Sequence, residues 1–199
     1  MRVAPIPLFA LADGEMTITD SDRLAGDAAE ITHQHPLGFS PAALVAHIIY
    51  RLAEDEMPTR QSLVGYLHEG VEAMEKLFPD YPYDVKYMGE LADKAITLAE
   101  NDNPDVTNIE SIGGGWTGEE ALAIALYCAV RHFDNFEEAL IAAVNHAGDS
   151  DSTGAITGNI LGAAIGYEAI PQFFLDDFEL HDVILHMADD LYRGEVTKM

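Results

Sequence analysis

Apolar residues recur along most of this chain at the three- and four-residue spacing of amphipathic helices. The clearest stripe consists of Leu44, Val45, Ile48, Ile49 and Leu52. Similar stripes and capping residues predict helices at about residues 21–32, 40–52, 59–78, 84–100, 121–130, 136–145, 154–170 and 181–193. No segment sustains the apolar–polar alternation of a half-buried strand. The pattern therefore predicts an all-α fold, a single compact multi-helix domain over residues 1–199.

Two short motifs predict where helices begin. Ser40-Pro41 combines a capping serine with a proline suited to the first helical turn. Thr117 and Glu120 have the spacing of a capping box. Just before that box, the three glycines at 113–115 and Trp116, the chain's single tryptophan, predict a flexible loop.

An acidic loop lies before the helix predicted at 154–170. Asp149 and Asp151 are two residues apart and Ser152 follows directly. A loop with this alternation can turn two carboxylates and a hydroxyl oxygen toward one point. Oxygen ligands of this kind suit hard cations such as Mg²⁺, Mn²⁺ and Ca²⁺. The loop is therefore a candidate metal site.

Four glycines recur every four residues in the helix after this loop, which places them on one side. Glycine costs about 1 kcal/mol relative to alanine in a helix interior. The row therefore predicts a helix at the centre of the domain that another backbone approaches closely. Its members are Gly154, Gly158, Gly162 and Gly166.

Three other interpretations of this region compete with a metal site, and two of them fail. The acidic loop could act only as an N-cap, since Asp and Ser accept bonds from the amides of a first helical turn. The glycine row could be a membrane-helix interface, but the segment up to Pro171 is too short and too polar to span a bilayer. An EF-hand loop needs a glutamate at its twelfth position, where this chain has Ile160.

The composition narrows the possible functions. Ten basic residues stand against 35 acidic ones, and the net charge of −25 disfavours nucleic-acid binding. A phosphate-containing small ligand remains compatible, because bound divalent cations can reverse the local sign of the potential. The single cysteine, Cys128, lies in an apolar helical pattern and is expected to be a buried thiol. No signal peptide or membrane segment is recognisable, and we expect a cytoplasmic protein.

Histidines and the glycine loop are further candidates, each with a structural alternative. His33 would also be favoured as the last residue of a helix by the helix dipole, and His35, before Pro36, could be a plain loop residue. His146 is better suited to brace the acidic loop than to bind a hard cation. The glycine loop could be only a turn, although an exposed backbone beside Trp116 could hold a ring and a phosphate or ribose.

Taken together, these motifs resemble the ADP-ribosylglycohydrolase family. The stretch from Asn145 to Gly154 is similar to the family's C-terminal signature, and the stretch from Gly113 to Leu122 to the segment that precedes it. The pair Thr32-His33 resembles a Thr-His motif, and the first five residues resemble the end of a motif that finishes in Met-Arg. The four motifs occur in the family's order and span essentially the whole chain.

The resemblance implies an all-helical fold that holds two divalent metals, Mg²⁺ or Mn²⁺. Asp149, Asp151 and Ser152 match positions that ligate metal. His33 matches a histidine near the bound ADP-ribose. Gly115 and Trp116 match the loop beside its ribose and adenine.

The resemblance also implies that family members extend further at the N-terminus. That part would supply a Thr-Asp-Asp metal triad, the catalytic acidic residue and the loop that holds the diphosphate. We therefore expect this chain to match the C-terminal two-thirds of the family, with at most half a site for each metal and no turnover alone. The apolar start would leave an exposed surface at Val3, Ile6, Leu8 and Phe9.

The function implied by the resemblance is metal-dependent hydrolysis of the glycosidic bond between ADP-ribose and an acceptor. The partner would be an ADP-ribosylated protein or a small-molecule ADP-ribose conjugate, with no nucleic acid and no membrane involved. A second interpretation is a non-catalytic module that binds metal or ADP-ribose, or serves a structural role. An active protein preceded by further sequence and an inert remnant both fit the residues present.

Overall fold

The computed structural model describes residues 1–198 and confirms the all-α class. Ten α-helices follow one another, and two 3₁₀ turns, Tyr167–Ala169 and Gln172–Phe174, precede the last of them. The α-helices are α1 Pro5–Asp13, α2 Ile18–Glu30, α3 Pro36–Glu54, α4 Arg60–Leu77, α5 Pro82–Leu98, α6 Asp105–Ile112, α7 Gly118–Arg131, α8 Phe136–Val144, α9 Ser150–Ile165 and α10 His181–Arg193.

Helices α3 and α7 form the centre of the domain. Every residue of α7 from Ala121 to Val130 is buried, because α3, α5, α6, α8 and α9 all pack against it. Helix α3 is buried over most of its length and contacts α1, α2, α4, α5, α7 and α9. The thiol of Cys128 is buried in α7 as expected, and this burial raises its pKa above the ordinary value.

Helix α9 packs against α3, α7 and α8, but no backbone closely approaches its glycine row, so that part of the prediction is wrong. A Cβ added at Gly154 would lie 2.7 Å from the Val144 side chain, and one at Gly158 would lie 3.7 Å from that of Leu140. Each neighbour is a side chain of α8 rather than a backbone. Nothing lies within 4 Å at Gly162 or Gly166. The glycine row therefore meets a neighbour only at its first two members, whereas Ile160 and Leu161 bury the second half of α9.

Helix α3 begins at Pro36 rather than at Ser40-Pro41. The Nδ1 atom of His35 accepts a hydrogen bond from the Leu37 amide at 3.2 Å and so caps the helix. Pro41 lies inside α3, where the Ser40 hydroxyl donates to the Pro36 carbonyl oxygen at 2.7 Å. The motif was misread because His35-Pro36 provides a start signal of the same kind five residues earlier.

The N-terminal segment is folded rather than a bare apolar surface. It forms α1, which packs against α2, α3 and α10. Val3 is buried, whereas Leu8 is exposed, and Ile6 and Phe9 lie between these extremes. The expectation of an exposed surface therefore fails at Val3. No helix within residues 1–198 is both long enough and apolar enough to cross a bilayer.

Candidate functional site

A cavity of about 650 Å³ opens where the beginnings of α3 and α7 and the start of α9 meet the first residues of the chain. It gathers most of the residues that the sequence singled out. The predicted residues in its wall are His33, Gly115, Trp116, Asp149 and Ser152. Asp151 is exposed and does not line the cavity.

The acidic loop presents its oxygen atoms at the start of α9. Asp149 is the N-cap residue of α9; its side chain forms no regular capping hydrogen bond, but the Ser152 amide in the first turn contributes to its lowered pKa. The N-cap interpretation therefore stands beside the metal-site interpretation. The neighbouring Asp151 side chain, and then the Ser152 hydroxyl, lower the pKa of Asp149 below its ordinary value. The Asp149 carboxylate therefore stays ionised and close to two further oxygen-bearing groups.

His146 braces the acidic loop, as the sequence predicted. Its Nδ1 atom accepts a hydrogen bond from the Gly148 amide at 3.1 Å, so in the neutral ring the proton is on Nε2. That Nε2–H donates to the Thr153 hydroxyl at 2.9 Å. Thr153 in turn donates to the Ala143 carbonyl oxygen at 2.7 Å. The loop is thus held to both α8 and α9.

The glycine loop is tied down at Gly114, contrary to the expectation of a flexible loop. The Gly114 amide donates to Oε2 of Glu120 at 3.1 Å, and its carbonyl oxygen accepts from the Asp149 amide at 2.8 Å. The predicted capping box is absent, because Thr117 makes no side-chain cap bond and Glu120 reaches Gly114 instead. The two loops are therefore joined through one residue.

Gly115 and Trp116 form the rim of the cavity next to this tie. Gly115 has a φ of 72°, a left-handed conformation that favours glycine. A Cβ there would lie 3.1 Å from the Thr153 side chain, so the loop also packs closely on α9. The Trp116 side chain is 73% exposed. It is free to stack on a ligand ring.

A short chain of hydrogen bonds positions His33 on the opposite wall. The Arg2 guanidinium donates to the Thr32 hydroxyl at 2.7 Å, and that hydroxyl lies 2.8 Å from Nδ1 of His33. The Thr32 hydroxyl also donates to the Ala29 carbonyl oxygen at 3.4 Å. Thr32 thus fixes the orientation of the His33 ring through Nδ1. His33 also follows the end of α2, so its position fits the helix-dipole interpretation as well.

The structure adds Arg2 and Glu119, which sequence reasoning did not select as site residues, to the cavity wall. His35, a candidate whose alternative was a plain loop residue, lines the cavity as well. The His35-Pro36 pair could have indicated the start of α3 and so a place for His35 in the wall. No local signal distinguishes Glu119 from Glu120, because the surroundings of each side chain depend on how α7 packs.

A hard cation fits the donors at the start of α9, although they are few. Two interacting carboxylates and a hydroxyl supply only oxygen, which Mg²⁺ and Mn²⁺ prefer. Within residues 1–198, no three His, Cys, Asp or Glu side chains come close enough together to hold a metal ion. These residues therefore provide part of a coordination shell.

Comparison with known proteins agrees with the motifs. The family model for ADP-ribosylglycohydrolase matches residues 1–198. The chain is 26% identical over 215 residues to ADP-ribosylhydrolase ARH3 of Homo sapiens, covering 97% of this chain and 56% of that protein. It is 29% identical over 193 residues to an uncharacterized protein of Archaeoglobus fulgidus, again covering 97% and 56%.

A shorter match, 41% identical over 64 residues, links the chain to ADP-ribosylarginine hydrolase Tri1 of Serratia proteamaculans, covering 32% of this chain and 18% of that protein. The chain spans about half the length of the first two relatives. The family model nevertheless covers nearly every residue, and the motifs it shares with the family meet in one cavity. The chain therefore belongs to the ADP-ribosylglycohydrolase family.

Proposed function

We propose that the cavity binds the ADP-ribose portion of an ADP-ribosylated protein or small molecule, in an enzyme that hydrolyses the glycosidic bond to the acceptor. The observation that carries the proposal is the convergence of His33, Gly115, Trp116, Asp149 and Ser152 on one cavity of about 650 Å³. A volume of this size is within the range of small-molecule sites, about 300–1,000 Å³. Relatives named as ADP-ribosylhydrolases support the same substrate class.

Asp149, Asp151 and Ser152 would hold Mg²⁺ or Mn²⁺ in this proposal. The cation would orient the ribose hydroxyls and a water and stabilise charge as the glycosidic bond breaks. The chain's own contribution is to keep Asp149 ionised and to fix its backbone against Gly114. The exposure of Asp151 is compatible with this role if its carboxylate approaches the cation from the side facing away from the cavity.

The remaining wall residues would bind and orient the ligand. The His33 ring, whose orientation is set by Thr32 through Nδ1, would hydrogen-bond the ligand through Nε2. The Trp116 ring, open to solvent, would stack on a ligand ring, while the Gly115 backbone allows close approach at the rim. Apolar neighbours including Leu37, Pro41 and Val45 would exclude water from part of the ligand.

Calorimetry on the purified chain tests this proposal. We expect ADP-ribose to bind in the presence of Mg²⁺ or Mn²⁺, and Asp149→Ala to weaken Mn²⁺ binding by more than about tenfold. Asp102→Ala is the matched control, because Asp102 is an exposed acidic residue outside the cavity. Equal Mn²⁺ binding by both variants would remove the acidic loop from the metal site.

Turnover of ADP-ribosyl-arginine, followed in the same samples, separates the two functional interpretations. Hydrolysis that is lost in Asp149→Ala would support the enzyme. Because we expect no turnover from these 199 residues alone, ADP-ribose binding without hydrolysis favours a binding module only if a chain extended at its N-terminus is inactive as well. Failure to bind ADP-ribose with either cation would contradict the proposed function itself.

A further inference from the structure

Glu119 is a buried carboxylate without a partner among the described residues. Its side chain belongs to the wall of the cavity, yet the residue is only 7% exposed. Its Oε2 atom is inaccessible to solvent and makes no hydrogen bond. No ion pair within residues 1–198 involves it either. Burying a charged group without compensation is costly, so this position calls for an explanation.

The fold itself does not require a carboxylate here. The adjacent Glu120 performs the local structural task by accepting from the Gly114 amide. Glu119 is the second residue of α7, where a negative charge interacts favourably with the helix dipole. Glu137 holds the same position in α8 while exposed to solvent, so a favourable dipole interaction does not need burial. The burial of Glu119 therefore follows from its place in the cavity wall and not from its position at the start of a helix.

The surroundings of Glu119 indicate what would satisfy it. Trp116, three residues earlier, lines the same cavity with an open ring face. Apolar side chains, among them Leu37, Pro41 and Leu122, make up much of the remaining wall. An ionised carboxylate is only an acceptor, so its partner must supply N–H or O–H donors. Beside an indole and apolar walls, a flat group with N–H donors at its edge meets both requirements.

We propose that Glu119 is a specificity-determining residue that accepts N–H donors from a planar group stacked on Trp116. The inference deepens the proposed function, because it assigns recognition of one end of the ligand to Glu119. Two sources of this chemistry exist in an ADP-ribosylated substrate. One is the amino-substituted purine ring, and the other is a guanidinium group of the acceptor.

Pairs of small probes distinguish the two sources by NMR titration. Adenosine is compared with purine riboside, which lacks the amino group, and methylguanidinium with methylurea, its neutral planar analogue. We expect the wild-type chain to prefer the donor-bearing member of one pair by about tenfold, the size of one hydrogen bond to a charged acceptor. The pair that shows this preference identifies the source.

Variants then assign the preference to Glu119. Glu119→Leu removes every acceptor and should abolish the preference, and Glu119→Gln removes the charge and should reduce it. Glu137→Gln, the matched change in α8, should leave it intact. A preference that survives in Glu119→Leu, or no preference for either pair in the wild-type chain, would overturn the inference.

Thermal unfolding without ligand provides a second measurement. The Tm of Glu119→Gln should fall if the carboxylate serves the fold, and should not fall if it serves ligand binding. Because the Glu119 carboxyl group is buried without a partner among the described residues, Glu119→Gln should keep or raise the Tm relative to wild type. A Tm lowered well beyond that of Glu137→Gln would show that the carboxylate serves the fold, and would contradict the inference. ADP-ribose binding that persists while the probe preferences do not depend on Glu119 would contradict this inference alone. If the wild-type chain does not bind ADP-ribose at all, the proposed function itself is contradicted.

Discussion

The contact between the glycine loop and the acidic loop leaves no room for a side chain at Gly148. A Cβ added there would overlap the Gly114 carbonyl oxygen, and would lie 2.7 Å from the Gly114 carbonyl carbon and 3.0 Å from its Cα. All three atoms belong to the backbone, so no rotamer change can relieve the overlap. We therefore expect Gly148→Ala to push the two loops apart.

The expected loss of stability has two parts. Separating the loops breaks the 2.8 Å bond from the Asp149 amide to the Gly114 carbonyl oxygen, a loss of about 1 kcal/mol. Overpacking at a closely packed site adds about 1–3 kcal/mol. The free energy of unfolding should therefore fall by about 2–4 kcal/mol. This is a large fraction of the roughly 5–15 kcal/mol typical of a domain.

Gly162→Ala is the matched control, because it adds the same methyl group where nothing lies within 4 Å. In the interior of α9 it should raise the free energy of unfolding by about 0.5–1 kcal/mol through better helix propensity. Urea denaturation measures both variants against wild type, and equal m-values show that only stability has changed. A Gly148→Ala variant within about 0.5 kcal/mol of wild type would refute the close contact of the two loops.

Three further substitutions test other parts of the structure. Gly115→Ala should lower the free energy of unfolding by about 1–2 kcal/mol because φ is positive there, and an unchanged urea midpoint would contradict the assigned conformation. Glu120→Ala should lower the free energy of unfolding by about 1 kcal/mol, because it leaves the Gly114 amide unpaired. It should also weaken ADP-ribose binding in calorimetry, and unaltered binding would show that this hydrogen bond does not support the site. Burial raises the pKa of the Asp22 carboxyl group above 3.8, although the hydrogen bond and charge of His47 oppose this shift. The stability that Asp22 contributes is therefore largest below pH 3.8 and is lost as the pH rises. The free energy of unfolding of wild type minus that of Asp22→Asn should therefore fall with rising pH in urea titrations, and a rising difference would contradict the sign.

Regular, locally determined elements could be predicted from the sequence. Helix α10 has the predicted bounds, His181–Arg193, because its apolar stripe is long and uninterrupted. Helices α1 and α6 have nine and eight residues, too short for a periodic pattern to stand out, and both were missed. The start of α3 was wrong because two His/Ser-Pro pairs five residues apart carry similar signals, and tertiary packing decides between them.

Several residues of the candidate cavity could also be predicted individually, but not their arrangement. Asp149 and Ser152 follow from the local spacing of oxygen donors, and the structure places both in the cavity wall. The pairing of Gly114 with Asp149 depends on the packing of α7 against α9, which no local pattern encodes. The same packing sends Glu120 to the glycine loop and leaves Glu119 facing the cavity. A capping-box spacing cannot distinguish these two outcomes.

Gly114 makes two hydrogen bonds, one to the Glu120 carboxylate and one to the Asp149 amide, and these bonds couple the two loops energetically. A cation at Asp149 and a ring on Trp116 would therefore act on two loops that meet at Gly114. If a bound cation tightens the contact between the two loops, it makes the binding free energy of the ring more favourable. The bound ring must then make the binding free energy of the cation more favourable by the same amount. Calorimetric titration in both orders would show this equality. Helix α7 supplies the carboxylate that transmits the effect, so the most deeply buried helix of the domain would also set the cooperativity of its surface loops.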